Sequence, residues 1–245
     1  MLYSKNVHER DKYINFLEEG HIYNVNGETN YTSVTTVVKR LFEHFNSDIV
    51  IDNMMKSPKW IHNKYYGMEK NEIKELWKKS GEQAAKDGTK MHLMFENYYN
   101  QLEINENEQS QEYLQFKNFI KDHEELVPYR TEWAVWDEDK KLTGSIDMVF
   151  INEDNTLSIY DWKRSKNIEK SPKFNKFSKL EKINHIPDTN YWHYCIQLNL
   201  YKYILEHKYG FIVKELFLVQ IHPEIKNYKK IEVPFMEEEI NNILS

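Results

Sequence analysis

Apolar and polar positions alternate with period two in three consecutive stretches: RTEWAVWD (130–137), KLTGSIDMVFI (141–151) and TLSIYDWK (156–163). Alternation of this kind predicts strands, and the polar clusters DEDKK and NEDN between them predict turns. YWHYCIQLNLYKYILEHKYG (191–210) predicts a helix closed by Gly210, a residue suited to the position just past a helix end. FIVKELFLVQIHP (211–223) predicts a last strand stopped by Pro223, and EEEINNIL (237–244) a short terminal helix. Upstream, GEQAAKDGTKMHLMFENYYN predicts a helix over 81–100, followed by a polar loop at 101–110 and a helix over 110–124. The stretch 48–80 is polar, helical and carries Trp60, Tyr65, Tyr66 and Trp77. Near the N-terminus, HIYNV and YTSVTTVV flank Asn26-Gly27, the pattern of a hairpin. The second of these alternatively opens a helix with Thr32 or Ser33 as N-cap. Helices, then a strand meander, then a helix and a strand predict an α+β or α/β fold with a mixed sheet and a helical annex. The 245 residues suffice for one elaborated domain or two small ones, with no repeat or Pro/Gly/Ser-rich linker to divide them.

Composition narrows the class. Hydrophobic residues make up 40% and charged residues 29%, a globular balance. No apolar run has the length of a bilayer span, and MLYSKNVHERDKYINF has neither an apolar leader core nor an Arg-rich character. The expectation is an intracellular protein without membrane attachment. Cys195 is the single cysteine, which excludes an internal disulfide and a four-cysteine iron–sulfur cluster. A net charge of -6 argues against a generic polyanion binder. The charge is uneven, however. Lys163, Arg164, Lys166, Lys170, Lys173, Lys176, Lys179 and Lys182 face only Glu169 and Glu181 in sequence. That segment reads either as a phosphate-tracking loop or as a solvated insertion.

The chemistry starts at Asp161 and Lys163, which share one face of a strand. If Glu153-Asp154-Asn155 forms the turn, Asn152 pairs with Thr156 and Asp147 falls opposite Asp161. Adjacent carboxylates repel, and a hard divalent cation such as Mg²⁺ or Mn²⁺ relieves the repulsion. Lys163 then faces an anionic substrate, for which a phosphodiester is the natural candidate. The bland alternative is a surface hairpin with an ordinary Asp–Lys pair. His92 and Glu96 share a helix face at i and i+4, so His92 is either a third ligand or a helix histidine beside an acid. Gln197 and Tyr201 repeat that spacing, as phosphate or base contacts or as amphipathic patterning. Glu132 sits in an otherwise core-like strand, as a ligand, a supporting group or a solvent-facing acid.

In order, Gly88…His92…Glu96, Glu132, Gly144-Ser-Ile-Asp147, Asp161-Trp-Lys163 and Gln197…Tyr201 resemble the motif series of the RecB-type branch of the PD-(D/E)XK nucleases. The likeness spans roughly 88–201. Tyr31-Thr-Ser-Val-Thr-Thr36, with Ser33 and Thr35, resembles a segment upstream of the helical region in the mitochondrial genome maintenance exonuclease and related viral and phage proteins. The resemblance implies a restriction-endonuclease-like α/β fold, with a mixed central sheet flanked by helices and an N-terminal helical annex. One nuclease domain over 1–245 would comprise a hairpin and helical cover (1–80), a core (81–222) and a tail (223–245). His92, Asp147, Asp161 and the Trp162 carbonyl would hold Mg²⁺ or Mn²⁺, and Lys163 would be the catalytic lysine. Glu96, Glu132, Gln197, Tyr201, Ser33, Thr35, Arg164 and Lys166 would support the site or bind substrate. Many relatives carry Glu where Asp161 stands. The implied activity is hydrolysis of DNA, single-stranded or at free ends, by an exonuclease of replication, repair or recombination. The alternatives are a structure-selective endonuclease, a non-catalytic DNA-binding module and a metal hydrolase of small phosphoesters. The aromatic residues of 48–80 would stack on bases or pack in a core.

Overall fold

The computed structural model describes residues 1–17, 20, 22–104, 110–172 and 174–245. The chain divides into two compact units, Met1–Glu43 with Met91–Ser245, and His44–Lys90.

The larger unit begins with α1 (Leu2–Lys5), β1 (Ile14–Leu17) and β2 (Ile22–Val25). These two strands pair antiparallel, from Ile14 with Val25 to Leu17 with Ile22. The hairpin partner of β2 is therefore the strand before it, not YTSVTTVV. Asn26 and Gly27 do turn the chain, with φ of 53° and 86°, but the turn closes only the bridge from Val25 to Glu28. The chain then forms β3 (Thr32–Ser33) and α2 (Val34–Leu41). The Ser33 side chain accepts the Thr36 N–H at 3.2 Å, the N-cap alternative. Val34, Val38 and Leu41 recur at helical spacing and are buried, which outweighs the modest helix propensity of Thr35, Thr36 and Val37.

The smaller unit contains α3 (Ser47–Lys56) and the start of α4 (Lys70–Tyr99). Asn46 caps α3 through the Ile49 N–H at 3.2 Å. Lys70 bonds Asp52 at 2.8 Å and Lys74 bonds Asp48 at 2.9 Å. The sequence places the start of α4 at Gly81, eleven residues late. Gly81 and Gly88 each cost about 1 kcal/mol in a helix interior. The helix formers around them, LWKKSGEQAAK, carry the helix through.

Returning to the larger unit, α5 (Gln111–Asp122) leads into β4 (Val127–Asp137), β5 (Leu142–Ile151) and β6 (Leu157–Arg164). After a long irregular segment come α6 (Asn190–Lys208), β7 (Val213–Ile221), β8 (Lys229–Glu232) and α7 (Glu237–Leu244). Strand β8 escapes the sequence pattern because KKIE is a short, lysine-bearing sheet edge with no apolar period. Residues 105–109 of the expected polar loop, Lys173, and Glu18, Glu19 and His21 of the expected hairpin lie outside the described residues.

β4, β5 and β6 run as an antiparallel meander; β6 and β7 are parallel, joined by α6; β8 is antiparallel to β7. One edge of β5 is paired throughout by β4. The other edge is shared. β6 pairs with Met148–Ile151, and β3 pairs parallel with Leu142 and Thr143. Gly144 to Asp147 lie in the fork between these two partners. Both sheet faces are covered. Val149, Leu157, Ile159 and Leu218 share one buried cluster with Cys195, Ile196, Leu200 and Ile204 of α6. Met148, Phe150, Tyr160 and Trp162 share another with Phe95 of α4 and Phe116 and Phe119 of α5. Among the described residues no helix is long and apolar enough to cross a membrane.

Candidate active site and metal centre

The expected turn forms. Asn152 N–H donates to the Thr156 carbonyl at 2.8 Å, and Asn155 takes the left-handed conformation at φ 63°. The ladder runs from Ile151–Leu157 to Met148–Tyr160 and ends there; Asp147 and Asp161 are the next residues on the two strands. On the other side of β5, Thr131–Met148 and Trp133–Ile146 bracket Glu132 and Asp147. Glu132, Asp147 and Asp161 thus form one row across three adjacent strands, on one face.

The backbone is irregular at this row. Glu132 has φ 42° inside a strand, a left-handed conformation that costs a non-glycine residue about 1–3 kcal/mol. Its Oε2 accepts from Ser145 Oγ at 3.0 Å. Past Met148 the β5–β6 ladder ends, and the Trp162 N–H donates instead to Asp147 Oδ2 at 2.9 Å. The Trp162 indole is fixed by edge contacts to Phe95, Phe116 and Phe119 at 5.3, 5.7 and 5.2 Å, so its carbonyl has a defined position.

His92 on α4 reaches the fork. Its Nε2 lies 3.0 Å from the Trp162 carbonyl, which only an Nε2–H can satisfy. Nδ1 then faces Glu132 Oε1 at 3.5 Å and Asp147 Oδ2 at 3.6 Å. Ligand atoms of His92, Glu132 and Asp147 lie within 4.8 Å of one another. Burial would lower the His92 pKa, but Asp147 and Glu132 outweigh it and push it up to about 9. Burial raises Asp147, Asp161 raises it further, and His92 opposes both only in part. Burial followed by the charge of Glu132 also raises Glu96. Protons thus stabilise a site with surplus negative charge.

Asp161 is 2% exposed. Its Oδ1 accepts from Gln197 Nε2 at 3.1 Å. Its buried Oδ2 lies 2.6 Å from Lys163 Nζ, in an ion pair. Burial would lower the Lys163 pKa, and Asp161 and Asp147 together hold it above the ordinary amine value. The residues fit a divalent cation. An imidazole nitrogen and two carboxylates converge, and a third carboxylate, Asp161, lies beside them in an ion pair with Lys163. The expected ligands His92, Asp147, Asp161 and Trp162 do gather here. The tightest group, however, takes Glu132 in place of Asp161, which Gln197 and Lys163 engage.

Tyr201 supports the row from α6. A Cβ on Gly144 would stand 2.7 Å from Tyr201 Cε1 and 2.9 Å from its hydroxyl, so the glycine admits the ring against β5. Gly144→Ala is expected to cost about 1–3 kcal/mol through this overlap. Chemical denaturation would read it, and an unchanged midpoint would refute the packing argument. Gln197 and Tyr201 are 9% and 3% exposed, which suits support of the site. Sequence reading missed two tyrosines. The Lys163 Nζ lies 4.6 Å from the centre of the Tyr194 ring. Tyr23 on β2 is raised to about 12, by burial first and then by Glu132 and Asp147. Tyr194 had a signal, its i, i+3, i+7 spacing with Gln197 and Tyr201. Tyr23 had none, because its hairpin is brought to the row from over a hundred residues away.

The other expected residues lie around this centre. Ser33 caps α2 and meets Thr35 Oγ1 at 3.1 Å, and β3 pairs Ser33 with Thr143 of β5. Arg164 Nε bonds Glu112 at 2.9 Å in a largely buried pair, and Lys166 pairs with Glu224 at the surface. Within the smaller unit, Trp77 Nε1 donates to the Tyr65 hydroxyl at 2.8 Å, and Trp60 and Tyr66 meet edge to face.

A forked mixed sheet between helical layers, with a row of acids, a histidine and a lysine at the fork, defines a restriction-endonuclease-like α/β protein with a cluster that could hold a metal ion. The family model of the PD-(D/E)XK nuclease superfamily matches residues 59–243, and the chain belongs to that superfamily. Membership makes it a metal-dependent nuclease by class, with DNA as the implied substrate. No curated protein matches the chain. A similar solved structure is titled "Crystal structure of SSO0001"; it is 16% identical, with 88% of this chain and 73% of that one covered and a TM-score of 0.34.

Proposed function

We propose that this protein is a Mg²⁺- or Mn²⁺-dependent exonuclease of the RecB type, acting on single-stranded DNA or free DNA ends. The observation that carries the hydrolytic reading is the row Glu132–Asp147–Asp161, with His92 and Lys163 against it. His92, Glu132 and Asp147 would hold the cation, with Asp161 and the Trp162 carbonyl adjacent. When bound, the cation supplies Lewis-acid stabilisation of charge on the phosphoryl oxygens.

The protein's own groups do the rest. Lys163 keeps its proton and presents a positive charge to a non-bridging phosphate oxygen as negative charge develops there. Asp161 orients Lys163, and Gln197 fixes Asp161. The Trp162 carbonyl sets the His92 tautomer, leaving Nδ1 toward the acids. Water attacks phosphorus in line and gives up a proton to solvent water, the opposite P–O bond breaks, and the leaving oxygen takes a proton back from solvent, so the net change is addition of one water across the P–O bond. The intact Asp147, Asp161 and Lys163 set opposes a non-catalytic scaffold. Preference for single strands and ends is supported by the resemblance of the Tyr31–Thr36 segment and by the aromatic residues of 48–80, and the basic stretch that continues from Lys163 supports contact with a phosphate backbone. Arg164 serves that stretch structurally through Glu112, while exposed Lys166 can exchange its surface partner for a phosphate.

The test compares an end-labelled linear oligonucleotide with a circular single strand of the same sequence, in Mg²⁺ or Mn²⁺, with EDTA as control. Release of short products from the linear strand alone is expected. Cutting of the circle would replace the exonuclease by an endonuclease. Inertness toward single-stranded, duplex and flapped DNA would return the chain to the scaffold reading.

A further inference from the structure

Lys163 has a long, flexible stem, and its Nζ has two close neighbours of opposite function. On one side is Asp161 Oδ2 at 2.6 Å, in the acid row. On the other is the face of Tyr194 at 4.6 Å from the ring centre. Left to the carboxylates, an ammonium would sink into the acid row, toward Asp161 and Asp147. A ring face attracts a cation without offering a fixed acceptor, and the attraction is strongest where water is excluded. Lys163 is 16% exposed by its side chain and Tyr194 is half-buried, so the contact is largely shielded. Tyr194 also projects from the helix face that carries Gln197, whose amide holds the other oxygen of Asp161. One face of α6 therefore sets both partners of the Asp161–Lys163 pair.

We propose that Tyr194 is a positioning residue for the nuclease reaction. Its ring holds the Lys163 ammonium at the mouth of the acid row, aimed at the substrate phosphate. This rests on the nuclease reading above, and it assigns the work to the ring face, not to the hydroxyl.

The contact is tested in the cation-free protein by NMR of lysine side chains labelled at Cε and Nζ, with the Lys163 signal assigned from Lys163→Met. The ring current should move the Lys163 side-chain signal upfield in the wild type and in Tyr194→Phe, and the shift should vanish in Tyr194→Leu. With Mg²⁺ and an oligonucleotide, Tyr194→Leu should lose kcat on the order of tenfold, the equivalent of one shielded cation–π contact. KM and the calorimetric affinity for the cation should stay unchanged, and Tyr194→Phe should behave as wild type. A Tyr194→Leu variant that raises KM with kcat intact would make Tyr194 a base-stacking platform and overturn the proposal. So would a Tyr194→Phe variant as impaired as Tyr194→Leu, or a wild-type Lys163 without a ring-current shift. The labelled wild type and Tyr194→Phe decide the matter even if Tyr194→Leu does not fold. If the wild type cuts no DNA, the nuclease reading fails, while the NMR result still decides the contact.

Discussion

Asp147→Asn is expected to stabilise the cation-free protein above neutral pH and to abolish its stabilisation by Mg²⁺. Asp147 ionises reluctantly, because burial and then Asp161 raise its pKa. A carboxyl raised on folding binds more protons folded than unfolded, so its contribution to stability falls as pH climbs from about 4 through the raised value. His92 adds a second falling interval, between its ordinary 6.5 and about 9. Asparagine removes the first interval and keeps an oxygen for the Trp162 N–H that Asp147 Oδ2 now accepts. The gain should be near zero at pH 4 and on the order of 1–3 kcal/mol at pH 8. The wild type should gain stability from Mg²⁺, more at pH 8 than at pH 6, because the cation competes with these protons. Thermal melts at the three pH values, with and without Mg²⁺, would check this. A variant that keeps the Mg²⁺ gain, or one whose stability change ignores pH, would refute the ligand role.

Lys163→Met should reduce cleavage by on the order of 100- to 1000-fold, the scale of losing one preorganised charge that meets the transition state. It should also destabilise the cation-free fold. Asp161 and Lys163 side chains are 3% and 16% exposed, so the substitution leaves a buried carboxylate without its counter-charge. Breaking such a pair costs about 3–5 kcal/mol. Mg²⁺ should offset part of this, so its stabilising effect is expected to be larger in the variant than in the wild type. Activity retained in a folded, Mg²⁺-binding Lys163→Met protein would remove Lys163 from the mechanism.

Most of the sheet was legible because the β4–β6 stretches alternate cleanly and their turns are short. One register argument, from Asn152 and Thr156, gave the ladder as far as Met148–Tyr160, the pair next to Asp147 and Asp161. Glu132 was harder. Its strand was evident, but a left-handed residue in mid-strand has no period, so its place in the row depends on the fold. The β1–β2 pairing was misread because Asn26-Gly27 is a strong local turn signal, while Ser33 draws the following chain into α2. β8 was missed for want of apolar residues. Gly144 was legible as part of a motif, but its physical reason, the Tyr201 ring, lies 57 positions away in sequence. Tyr194 looked like one more residue on a buried helix until the Lys163 ammonium was found over its ring.

The meander also determines how the acid row is preorganised. Glu132, Asp147 and Asp161 are borne by strands joined through turns of only a few residues. Loop-closure entropy grows with the length of chain enclosed, so these carboxylates are brought together at little conformational cost. The β4–β5 ladder on both sides of the row, and the β5–β6 ladder up to Met148–Tyr160, constrain their spacing before any ligand arrives. A cation held at this candidate site would have little chain left to order, and its binding free energy would go mainly into relieving charge repulsion.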